Sequence, residues 1–147
     1  MKSILLGIAL LAFIGVGVAQ AQSTGYSTQK SVVSQCTIVA NNQIRRDRST
    51  DGLCIKSVGV YLTILKKASP GDLNNLITKL VVKLAVLPQL TQADCQLIST
   101  EIAQAIEEAG TFSTDPDQVA RLLEIAATVS DCTPEITAAV DSNPSGG

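Results

Sequence analysis

The chain of 147 residues is 46% hydrophobic but only 3% aromatic, and it carries a net charge of −2. It has no histidine, which excludes Ser-His-Asp and Cys-His nucleophile systems and neutral-pH imidazole acid–base chemistry. An acidic chain with so few rings offers nucleic acid neither a stacking platform nor a basic surface.

Residues 1–21 read as a cleaved signal peptide. Lys2 is the positive start, Ile4 to Ala19 is an apolar or glycine run, and Ala19-Gln20-Ala21 is a small-x-small cleavage pattern. The run is shorter than the ~20 residues of a spanning helix, so no stable membrane anchor is expected. The mature chain would begin at Gln22 and work outside the cell. Residues 22–140 are expected to form a single helical domain and 141–147, rich in Ser, Pro and Gly, a disordered tail.

A first helix is expected over residues 29–44, with Val32, Val33, Cys36, Val39 and Ile44 repeating at helical spacing. The polar run from Arg45 to Gly52 ends it. A second follows over 53–68, with Cys54, Val58, Tyr61, Leu62 and Leu65 on one face, although its β-branched content also suits a strand. Ser69-Pro70-Gly71-Asp72 starts a third helix, with serine as cap and proline in the first turn, and Pro88 stops it after Leu87.

In this third helix Leu73, Leu76, Ile77, Leu80, Val81, Leu84 and Leu87 cover an arc of about 140°. Val82, Ala85 and Val86 lie behind it, and only Asp72, Asn75, Lys79 and Lys83 form a polar strip. A helix apolar on most sides is one that neighbours surround, so the helix near residues 70–87 is expected to be central. Thr91-Gln92-Ala93-Asp94 opens a fourth helix that closes near Gly110. Its stripe of Ile98, Ile102, Ala105, Ile106 and Ala109 is only about 100° wide, which predicts a surface helix with Glu101, Glu107 and Glu108 outward. Asp115-Pro116-Asp117-Gln118 combines cap, proline and box glutamine, and predicts a fifth helix over 116–130. Thr133-Pro134-Glu135 starts a further short turn. The fold class is therefore all-α, a small disulfide-stapled bundle of about five helices.

Cys36, Cys54, Cys95 and Cys132 are an even set in an exported chain and read as two disulfides. Cys36 and Cys54 flank the first loop. Cys95 opens the fourth helix and Cys132 follows the fifth, so an antiparallel hairpin brings them together. Cys36–Cys54 with Cys95–Cys132 is the favoured pairing of the three that four cysteines allow. Without a CxxC or a histidine there is no expected metal site, and no nucleotide fingerprint implies a cofactor.

Charge is divided along the chain. Residues 22–90 hold nine Lys/Arg and three Asp, for +6, whereas residues 91–147 hold one Arg and ten Asp/Glu, for −9. The basic and acidic helices can satisfy each other within one molecule or attract other copies and charged surfaces.

The expected function is that of a secreted, non-enzymatic helical protein that binds a hydrophobic ligand or a protein partner outside the cell. Val58, Tyr61, Leu65, Leu80 and Leu84 are the candidate walls of an apolar pocket, with packing against each other as the plainer reading. Self-association in a structural secretion of the silk, foam, seminal or egg-coat type is the alternative. A membrane-active defence or effector protein exposing residues 76–87 is the third reading, and the negative net charge weighs against it.

Overall fold

The computed structural model describes residues 27–90 and 95–132. The expected signal peptide, the Thr91–Asp94 cap, the turn after Cys132 and the tail lie outside the described residues. Among the described residues there are five α-helices and no strand: α1 (Gln29–Ile44), α2 (Leu53–Ala68), α3 (Leu73–Ala85), α4 (Cys95–Gly110) and α5 (Pro116–Ser130). The chain is an all-α, disulfide-stapled bundle.

Local chemistry sets the ends of the elements. At α1 a reciprocal box forms, in which Ser31 N–H donates to Thr28 Oγ1 (3.2 Å) and Thr28 N–H to Ser31 Oγ (3.3 Å). The helix buries Val32, Cys36, Val39, Ala40 and Gln43, a single face at helical spacing. Gly52 precedes α2 at φ 77°, a left-handed conformation that glycine adopts without a Cβ penalty. The β-branched residues of α2 are helical, and the helix buries Cys54, Ser57, Val58, Tyr61 and Leu62.

The third helix departs from its expected limits at both ends. Ser69 makes no side-chain cap; Pro70 opens a 3-10 turn over Pro70–Asp72 instead, and α3 starts at Leu73. It stops at Ala85 rather than Leu87, and Leu87–Leu90 forms a second 3-10 turn. Pro88 cannot donate to Leu84 and its ring disfavours α geometry at Leu87, so the helix ends two residues early.

Helix α3 touches each of the other four helices, as expected of a central element. Helix α4 does so as well, and it buries ten of its sixteen residues. The expectation of a surface helix at α4 is therefore corrected. Its narrow stripe of large residues is flanked by Ser99, Ala103, Ala105, Ala109 and Gly110, all buried, and such small residues admit close neighbours on several sides. The three glutamates also part company: Glu107 is exposed, Glu108 is half-buried against Gly59 of α2, and Glu101 is buried. The core joins all five helices through Val32, Val39, Val58, Leu62, Leu80, Leu84, Ile102, Ile106 and Val129, each essentially inaccessible to water.

At one end of the bundle, α3 fixes the α4–α5 turn. Asn74 Oδ1 accepts from Thr114 N–H (3.1 Å) and Ser113 Oγ (3.3 Å), and its Nδ2 donates to Thr114 Oγ1 (3.0 Å). Asp115 caps α5 by accepting from Asp117 N–H (2.9 Å). Gln118 does not close the expected box. Its Nε2 donates instead to the Asn74 carbonyl and to Thr78 Oγ1, both at 2.8 Å, which ties α5 to α3.

Candidate functional site

The four cysteines form two bonds, Cys36–Cys54 with Cα atoms 4.5 Å apart and Cys95–Cys132 at 6.0 Å. No cysteine is free among the described residues. The first bond holds α1 against α2 beside the loop that joins them; the second ties the start of α4 to the end of α5.

The five apolar candidates lie together, inside the bundle. Val58, Leu80 and Leu84 are completely buried, Tyr61 is 5% exposed, and Leu65 packs on the same cluster from its edge. Burial of the Tyr61 phenol pushes its pKa above the usual tyrosine value, because the phenolate would lose its hydration. None of the five lines either of two surface clefts beside α4.

Both clefts open along α4. The larger, of about 550 Å³, lies between α4 and the α1–α2 loop, and Gln43, Arg48, Asp51, Glu101, Leu97 and Gln104 are among its walls. The smaller, of about 350 Å³, lies between α4 and α5 and includes Glu107, Ser130 and Asp131. Thr100 and Gln104, exposed and one helical turn apart, belong to both. The exposed face of α4 is thus a polar ridge with a cleft on either side.

The wall of the larger cleft is built by hydrogen bonds that converge on Asp51. Gln43 Nε2 donates to Asp51 Oδ1 (3.0 Å), and Arg48 Nε pairs with Oδ2. The Gln43 amide and the Arg48 guanidinium together hold the Asp51 carboxyl below its usual range. Asn42 Nδ2 donates to Thr50 Oγ1 (3.2 Å) across the same loop. Ser49, through its hydroxyl and its amide, lowers the pKa of Asp47 likewise. From the other side, Glu101 reaches across from α4. Its Oε2 accepts from Gly52 N–H (3.0 Å), so a carboxylate of the acidic segment caps the N-terminal end of α2. This contact is the physical reason that Glu101 points inward.

Two acceptors at this junction have no donor among the described residues. Gln43 and Glu101 are only 4% and 7% exposed, and Gln43 Oε1 and Glu101 Oε1 are both buried without a hydrogen-bond partner. Buried polar atoms are nearly always satisfied, and an orphaned one destabilises by about 1–3 kcal/mol. No protein-family model, curated protein or solved structure matches the chain. No group of three or more potential metal ligands gathers among the described residues, and no helix there is long and apolar enough to cross a membrane.

Neither Gln43 nor Glu101 stands out in the sequence as a site residue. Their register does carry a signal. Gln43 follows Val39 by four residues and Cys36 by seven, and Glu101 sits three after Ile98 and four before Ala105. Gln43 thus lies on the apolar face of α1 and Glu101 just beyond the edge of the α4 stripe, which is why the stripe alone reads Glu101 as outward.

Proposed function

We propose that the chain is a secreted, non-enzymatic binding protein that receives its partner on the polar face of α4. The observation that carries this reading is the pair of clefts sharing Thr100 and Gln104 on a helix otherwise clamped on its remaining sides. A rigid frame with two disulfides loses little conformational freedom when a ligand docks, which favours recognition. Volumes of about 350 and 550 Å³ fall within the range of ligand sites. Their polar lining suits a peptide or polar ligand better than a fatty acid or sterol. The two disulfides are compatible with an extracellular setting, as is the sequence pattern of residues 1–21.

The reading is tested by NMR on the oxidised protein, with a panel of polar peptides run beside a panel of fatty acids and sterols. Saturable shifts of the Gln96, Thr100, Gln104 and Glu107 amides by members of the peptide panel are the expected result. Saturable shifts of the Val58, Leu80 and Leu84 methyls by a lipid, with the α4 amides unmoved, would overturn it in favour of an apolar carrier.

A further inference from the structure

The two orphaned oxygens specify the complement that would satisfy them. Gln43 Nε2 already donates to Asp51 and Glu101 Oε2 already accepts from Gly52, so the atom left unpartnered on each is an acceptor oxygen. A matching group needs several donors and no acceptor of its own. Charge narrows the choice. Arg48 is paired with Asp51, which leaves the Glu101 carboxylate as the uncompensated charge of the cleft wall. A cation is therefore favoured over a neutral amide or hydroxyl.

The form of the cation follows from the same bonds. A guanidinium binds best as a fork to both oxygens of one carboxylate. On Glu101 a fork would have to share Oε2 with Gly52 N–H, whereas Oε1 is wholly open, so a single-point donor fits better than a fork. An ammonium is compact, has three donors and can bridge two separate single acceptors. Ile55, half-buried, and Leu97, 42% exposed, also line this cleft and offer methylene groups an apolar surface. Arg48, Gln96 and Gln104 line it as well and are exposed, so rotation of their side chains opens a way to the covered oxygens.

We propose that the Gln43–Glu101 junction is a recognition site for a primary ammonium group on a short alkyl chain, the chemistry shared by a lysine side chain and a small aliphatic amine. It rests on the reading of the α4 face as the binding face, and it identifies the head group which that face takes. The site binds and does not transform the amine.

The experiment titrates the full, oxidised protein with n-butylammonium, n-butanol and butyrate, following the Gln43 side-chain amide and the Gly52 backbone amide by NMR. Saturable shifts with n-butylammonium are expected, weakened about tenfold or more with n-butanol, the size of one charge-assisted hydrogen bond. Glu101→Gln should weaken n-butylammonium binding by a similar factor, with Gln43→Leu as a second variant should the first not fold. The ligand series on the unaltered protein decides the matter without either. An equal response to n-butanol, or no saturable response to the amine, would overturn the proposal and reduce the junction to a hydration site. The lysine peptide Ac-Gly-Lys-Gly-NH₂ separates the sources: tighter binding than n-butylammonium assigns a lysine of a protein partner, and weaker binding a free amine. Peptide shifts on Thr100 and Gln104 with no amine response would sink the ammonium site alone. Silence at every α4 amide would sink the binding face with it.

Discussion

Asn74 is a half-buried amide on α3 whose side chain is directed entirely at the α4–α5 turn. Replacing it with alanine removes three hydrogen bonds, but Thr114 is exposed and regains water in exchange. The expected loss for Asn74→Ala is therefore about 1–2 kcal/mol, read as a lower midpoint in urea unfolding. An unchanged midpoint would mean that the turn holds itself without α3. Tyr61 makes a prediction on the pH axis. Its pKa is raised by burial, so the neutral phenol favours the folded state and that contribution is complete below the ordinary tyrosine value of about 10. As pH rises from there the unfolded chain ionises first, and stability falls until the folded phenol also titrates. Thermal midpoints should thus decline above about pH 10, and less so in Tyr61→Phe. Parallel declines in the two proteins would assign the alkaline loss to other groups.

Helices α2 and α4 approach where Glu108 lies over Gly59. A Cβ built on Gly59 would come 3.0 Å from Glu108 Oε1, the free end of a flexible side chain rather than backbone. Gly59 sits inside a helix and needs no left-handed conformation, so its glycine freedom only weakens α2. Gly59→Ala should stabilise by about 0.5–1 kcal/mol once Glu108 swings aside, as measured by chemical denaturation. A clear destabilisation would show that the carboxylate is held in place. The same pair of helices explains what was legible in advance. The limits of α1, α2 and α5 follow from apolar spacing, polar breaks and the Asp115-Pro116 start, because each is written in local residues. The depth of α4 was not legible. Its burial depends on small side chains and on Glu101 finding Gly52 across 49 positions of sequence, a contact that no local pattern contains. The orphaned oxygens were hidden for the same reason, since Gln43 and Glu101 meet the cleft through partners on other elements.

Across the whole molecule, α4, from the acidic segment, packs against α1, α2 and α3, which belong to the basic segment, and buries Glu101 among them. The two charged halves are therefore packed together in one bundle, where exposed pairs each contribute at most about 1 kcal/mol and burial supplies the rest. The disulfides act on this frame in different ways. Cys36 and Cys54 are completely buried in the common core, whereas Cys95–Cys132 closes the hairpin of α4 and α5, whose second helix buries only Leu122, Ala126 and Val129. Chain entropy alone ranks the second bond slightly higher: about 3 kcal/mol for the 18-residue separation against almost 4 for the 37-residue one. Packing adds more to the first bond, because Cys36→Ala with Cys54→Ala leaves a void where two fully buried sulfurs were, whereas Cys95 is 6% exposed and Cys132 half-buried. Hydrogen exchange should separate the two cases. Loss of Cys36–Cys54 should lower protection throughout α1 to α4, since the defect lies among residues shared by those helices. Loss of Cys95–Cys132 should expose the last turns of α5 first, while Asn74 and Gln118 keep its N-terminal end on α3 and the core amides of α1 to α3 stay protected. A uniform drop in both variants would mean that the bundle unfolds as one unit and that neither staple guards a region of its own.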